Sequence, residues 1–190
     1  MNHQLIRDKS FKNQNYSENN LPKAEYDTCI FDTCIFSKAT LTNTTFSECE
    51  FIDCDLSNAT IKESTIKDCL FKSCKLLGLN FSACNTFLLS FSFDNCLLNY
   101  ASFFGLKIKN TIFKNCKMHQ VDFTNADVTA ASFEQSDLHN AVFSNTILEK
   151  ADFRSAYNFA IHPDENKLRK AKFSKDNLQG LLTGYKIDVS

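Results

Sequence analysis

The sequence predicts an all-β fold: a four-sided β-helix, finished by a short C-terminal helix and strand. Three observations predict it. A large apolar residue recurs at every fifth position: Phe31, Phe36, Leu41, Phe46, Phe51, Leu56, Ile61, Ile66, Phe71, Leu76, Phe81. A second run reads Phe93, Leu98, Phe103, Ile108, Phe113, Met118, Phe123, Val128, Phe133, Leu138, Phe143, Leu148, Phe153. Second, the residue two places earlier is small, as at Cys29, Cys34, Ala39, Thr44, Cys49, Cys54, Ala59 and Ser64. Third, positions twenty apart match. Cys29, Cys49 and Cys69 form one set, and Cys34, Cys54 and Cys74 another. Neither a helix period of 3.6 nor a strand period of 2 produces this spacing. A fixed repeat of this kind decides the architecture.

Each five-residue unit turns one corner, and four corners close a coil of 20 residues. Stacked coils pair as parallel neighbours at about 4.8 Å per coil. The interior of such a prism is narrow. It takes bulky side chains near the axis with small ones between them, packed without voids. The expected core plugs include Phe31, Phe36, Phe46, Phe51, Phe71, Phe81, Phe93, Phe103, Phe113, Phe123, Phe133, Phe143 and Phe153. Nineteen Phe and only four Gly in the chain fit an interior filled by stacked rings.

Residues 1–23 read as a degenerate first coil or cap. Ile6, Phe11, Tyr16 and Leu21 keep the five-residue frame, but Gln4, Lys9, Gln14 and Asn19 fill the small slot. A cap is expected because an open coil end exposes unpaired backbone and apolar surface. Residues 24–173 read as the β-helix. Its frame slips near 82–92, where twelve residues separate Phe81 from Phe93, and an exposed insertion carries the excess. Near 157–170 the repeat fails around His162-Pro163-Asp164-Glu165-Asn166, and Ala171 and Phe173 return in frame. A projecting loop of about one coil is expected there. Residues 174–190 read as a helix opened by Ser174, with Leu178, Leu181 and Leu182 on its apolar face. Gly184 stops it, and Tyr185 to Val189 alternates as a strand.

The units Ala126-Asp127-Val128 and Ala151-Asp152-Phe153 show the pattern of small residue, polar residue, large apolar residue. The pattern resembles the pentapeptide-repeat family over about residues 24–158. The resemblance implies a right-handed quadrilateral β-helix. The C-terminal segment Phe173-Ser174 to Ile187-Asp188-Val189 resembles the quinolone-resistance and microcin-immunity branch. That branch implies a homodimer built by the tail, here Leu178, Leu181, Leu182, Tyr185, Ile187 and Val189. It also implies a non-enzymatic partner of type II DNA topoisomerases, DNA gyrase or topoisomerase IV. Such a protein protects them from quinolones or a peptide toxin, partly by mimicking DNA.

Composition bounds these expectations. The net charge is −1, which gives no bulk signal for direct nucleic-acid binding. Residues 62–117 are Lys-rich, and residues 121–153 carry Asp122, Asp127, Glu134, Asp137, Glu149 and Asp152 against Lys150 alone. The expected topoisomerase contacts are therefore Asp122, Asp127, Asp137 and Asp152, with Phe159, His162, Asp164 and Glu165 of the late loop. The first ten residues lack an apolar stretch, and no run of 18 apolar residues exists. A cytoplasmic protein without signal peptide or membrane span is expected. Nine Cys in the inward small slot suit reduced, buried thiols better than a disulfide framework.

No catalytic constellation is legible, and no cofactor is implied. His119 and His139 lie one coil apart, but Asn99 and Phe159 in the same column supply no third metal ligand. Four Gly leave no phosphate-binding loop. The alternative to a topoisomerase partner is a generic interaction scaffold, since solenoid surfaces serve many partners.

Overall fold

The computed structural model describes residues 4–185 and residue 187. Ten short strands form two parallel sheets. The first holds β1 (Gln4–Arg7), β3 (Ala24–Asp27), β5 (Thr45–Ser47) and β7 (Thr65–Lys67), in that order. The second runs β2 (Ser10–Lys12), β4 (Ile30–Asp32), β6 (Glu50–Ile52), β8 (Cys69–Lys72), β9 (Phe91–Asp94), β10 (Phe113–Lys114). Partners sit twenty residues apart, as Phe31 opposite Phe51, except across the slip, where Phe71 faces Phe93. The other two sides are joined by single bridges. One column passes Asn15, Ile35, Asp55, Lys75, Leu97, Lys117, Asp137 and Tyr157, one residue per coil.

The five-residue frame arises from one backbone device. Two residues after most large apolar residues, the chain turns through left-handed conformation, with φ from +50° to +63° at non-glycine positions. Asn holds this position nine times, Asn13, Asn43 and Asn58 among them. Its side chain tolerates that backbone better than most. The large residues then point to the axis. All thirteen phenylalanines expected in the core are buried. Rings one coil apart lie parallel, as Phe113 on Phe133 at 5.1 Å, and rings on adjacent sides meet edge to face. These are the two favoured aromatic geometries.

The N-terminal coil is a true level of the stack. β1 pairs with β3 and β2 with β4, while Phe11 stacks on Phe31 and Tyr16 on Phe36. Tyr26 Oη donates to the Pro22 carbonyl at 2.8 Å. The slip lies within 82–92, as expected. Phe81–Ala83 forms a 3-10 turn, Cys84 stays in frame, and residues 85–90 carry the two extra residues. Phe91 fills the small slot with a buried ring against Phe81, Phe93 and Phe103.

Three sequence expectations are corrected. The segment 157–170 does not project. Tyr157 bridges Asp137 and Lys167 bridges Ile147, so a coil is completed in register. Its frame is kept because Ala156, Phe159 and Ile161 fill the interior. The expected helix at 174–184 is 3-10, in two pieces at Lys175–Leu181 and Thr183–Tyr185. Tyr185 belongs to that second turn, not to a strand, and the rest of the expected strand, Ile187 apart, lies outside the described residues.

Candidate functional site

The four aspartates expected to form one acidic patch do not share a side of the prism. Asp122 bridges Ser102 and Val142, Asp127 bridges Lys107 and Ile147, Asp137 bridges Lys117 and Tyr157, and Asp152 bridges Ser132 and Lys172. These are four different columns. One side recurs only every twenty residues, and Asp127, Asp137 and Asp152 follow Asp122 by 5, 15 and 30.

Each aspartate also has a local task. Its carboxylate accepts the backbone N–H two residues on: Thr124 at 2.8 Å, Thr129 at 3.1 Å, His139 at 3.2 Å and Arg154 at 3.1 Å. This Asx turn satisfies an outward amide at the corner. Three of the four are further engaged. Lys109 lies 3.2 Å from Asp127. Arg154 and Lys172 approach Asp152 at 2.7 and 3.7 Å. His119 Nε2 meets Asp137 Oδ2 at 2.7 Å, and Asn158 donates to its Oδ1 at 2.8 Å. For Asp152, the hydrogen bond from Arg154 is the main cause of a carboxyl held below the usual range. For Asp127 and Asp137, partial burial opposes the shift. Hydrogen bonds from Thr129 and Lys109, and from His119 and Asn158, outweigh it.

Asp137 is the donor that column reasoning missed beside His119, because it comes from the adjoining residues of the next coil. His139 lies near, its ring 5.3 Å from that of His119. Among the described residues, however, no three His, Cys, Asp or Glu side chains are placed to hold a metal.

Phe159, expected as a partner contact, is 4% exposed and packs against Phe153 and Phe173. His162, Asp164 and Glu165 are not buried in this way, and Asp164 accepts from Tyr185 Oη at 2.7 Å, which ties the tail to the last coil. The tail is a lid. Asn177 Nδ2 donates to the carbonyls of Phe153 and Ala156, and its Oδ1 accepts from Ser174 N–H at 3.0 Å. A Cβ at Gly180 would collide with the Phe159 ring and backbone, and one at Gly184 with the His162 ring. Among the expected dimer residues, Leu181 packs on the core, Leu182 is half-buried, and Leu178, Tyr185 and Ile187 are exposed. Val189 lies outside the described residues.

All nine cysteines are free and buried. Burial pushes the Cys84 thiol up to about 12 and raises Cys29 and Cys34. The insertion at 85–90 presents Phe87 and Leu88 to solvent. Its two extra residues locate this segment in the sequence, but nothing there marks its exposed apolar tip.

The family model for the "Pentapeptide repeat region" matches residues 44–118, and that for "Pentapeptide repeats (8 copies)" matches 116–154. The fold is shared with QnrB1, a plasmid-mediated fluoroquinolone resistance protein. One trypsin-treated variant of QnrB1 superposes with a TM-score of 0.63 at 16% identity, covering 98% of this chain and 100% of that one. A second trypsin-treated variant gives 0.63 at 15% identity, over 95% of this chain and 98% of that one. No curated protein matches the sequence significantly.

Proposed function

The chain belongs to the pentapeptide-repeat family, and from that premise we propose that it is a non-catalytic binding protein for type II DNA topoisomerases. In this reading it protects DNA gyrase or topoisomerase IV from a quinolone or a peptide toxin. The observation that carries the reading is the end-to-end correspondence with QnrB1, 98% of one chain on 100% of the other. Repeats alone would match over a middle segment of any length. Here the match runs over nearly the whole of both chains. The buried, reduced thiols suit the cytoplasm in which such targets work.

The recognition we propose rests on the shape of the rod more than on its charge. The four aspartates are dispersed and mostly engaged, so they do not add up to one focused field. Two rods join through the exposed Leu178, Tyr185 and Ile187 of the tail. Leu178→Asp with Ile187→Asp is expected to give a monomer in sedimentation, and a persisting dimer would overturn that contact.

The test of the target is a supercoiling assay with purified gyrase and a titrated fluoroquinolone. Supercoiling is expected to be restored as the chain is added. The dispersal of the acidic residues favours a second reading, a scaffold for another protein. Absence of any effect on gyrase or topoisomerase IV, with or without drug, would decide for it.

A further inference from the structure

The insertion at 85–90 presents a convex apolar tip on the side of the rod. Phe87 is 72% exposed and Leu88 57%. One amide of the tip is closed by a side chain. Phe87 N–H donates to Asn85 Oδ1 at 3.0 Å. Asn85 Nδ2 in turn donates to Thr65 Oγ1 at 3.3 Å.

Three lysines flank the tip. Lys67 lies on the coil before it, and Lys107 and Lys109 on the coil after. Two carboxylates stand among them: Asp68 accepts from Ser90 Oγ at 2.7 Å and lies 4.0 Å from Lys67, and Asp127 lies 3.2 Å from Lys109. Lys107 makes no salt bridge among the described residues. The hollows beside the tip are lined by Asn85, Thr86 and Lys107 on one flank and Asp68, Ser90 and Lys109 on the other. Leu89 borders both, and neither hollow buries Phe87 or Leu88, which stay exposed.

We propose that this loop binds the surface of an anionic lipid bilayer, with Phe87 and Leu88 entering the interface and Lys67, Lys107 and Lys109 at the headgroups. An apolar prong flanked by lysines complements a surface that is negative outside and apolar within. The proposal is independent of the topoisomerase reading, and no membrane span is involved: no helix of the described residues is long and apolar enough to cross a bilayer.

The experiment is co-sedimentation of the full chain with phosphatidylcholine vesicles, with and without phosphatidylserine. Binding is expected only to the anionic vesicles, and to weaken as salt is raised, because surface charge is screened. Lys107→Gln with Lys109→Gln is expected to weaken it by roughly tenfold or more, since each lysine near such a surface is worth about fivefold. Phe87→Ser with Leu88→Ser is expected to abolish it, with an unchanged thermal transition because both side chains are exposed. Failure to bind anionic vesicles at low salt would overturn the proposal. So would a serine double variant that still binds vesicles like the parent; if that variant had lost topoisomerase protection, the loop would be assigned to a protein partner.

Discussion

The corners of this prism are of two kinds, and the small residue of each unit tells them apart. At closed corners the small residue donates its amide to the carbonyl of the large residue three places back. Ala39 to Phe36, Ala126 to Phe123 and Ala151 to Leu148 do so at 2.9, 3.0 and 3.0 Å. With the left-handed residue between them, these are type II turns. At open corners that bond is absent, and at several of them a side chain from the next coil stands in the gap. Cys54 Sγ accepts from Cys34 N–H at 3.4 Å and donates to the Phe31 carbonyl at 3.2 Å. Ser136 Oγ joins Cys116 N–H and the Phe113 carbonyl in the same way, at 3.1 and 3.2 Å. Asn166 does so for Thr146 N–H and the Phe143 carbonyl, at 2.8 and 3.0 Å. Every alanine in the slot from Ala39 onward sits at a closed corner, and every cysteine except Cys84 at an open one. The cysteines are therefore more than small apolar fillers. They stitch successive coils where the turn leaves backbone groups unpaired.

The largest expected effect follows from the strongest stitch. Asn166→Ala strips both partners from the 143–146 corner, and leaving buried backbone groups unpaired costs about 1–3 kcal/mol each. A fall of several degrees in the thermal midpoint is expected. A variant as stable as the parent would show that the open corner needs no stitch. Next in size is the cysteine column. Cys54→Ala is expected to lose about 1–2 kcal/mol and Cys54→Ser much less, since the hydroxyl both accepts and donates. Equal losses would return Cys54 to the role of a small hydrophobe. The comparison sharpens at what both corners share. Thr28 holds φ +52° and Ala130 +58°, and Thr in left-handed backbone is the costlier of the two. Thr28→Asn is expected to gain about 0.5–1 kcal/mol, read by denaturant midpoint. A loss would mean that Thr28 makes a contact worth more than the strain.

The level of the fold that is readable in the sequence is the one with a strict period. Phe46, Ile66 and Phe133 announce the axis because the interior admits only large residues there. The kind of corner is hidden, because Ala and Cys are equally small, and only hydrogen-bond geometry separates them. Asn166 is masked since Pro163 and the polar run before it look like a loop. The side chain that completes the coil is itself polar. The acidic residues mislead for a geometric reason. Charges counted along 121–153 look adjacent, but a four-sided winding deals consecutive units to different sides, so a sequence window is not a surface patch. The tail is legible as a helix-forming segment with apolar residues. Its packing is not, because Gly180 and Gly184 serve contact with Phe159 and His162, which no local pattern records.

The smallest effect separates the structural role of the aspartates from an electrostatic one. Asn can replace Asp in an Asx turn, since its Oδ1 accepts the same N–H. Changing Asp122, Asp127, Asp137 and Asp152 together to Asn therefore keeps the corners and removes four negative charges. Asp127, Asp137 and Asp152 titrate below their ordinary range in the folded chain. A depressed folded pKa stabilises above the unfolded value and is lost as pH falls through the folded one. The parent is thus expected to lose a modest increment of stability below about pH 4, near the ordinary carboxylate value. The fourfold variant should show a flatter decline there, with a slightly lower midpoint at neutral pH. Ion pairs this exposed are worth little each, so the neutral-pH change should stay small. Its binding to gyrase, if shape governs, should match the parent in strength and salt dependence. A strong loss of binding without loss of fold would mean that four dispersed carboxylates act as one field after all, and that the rod is read by charge.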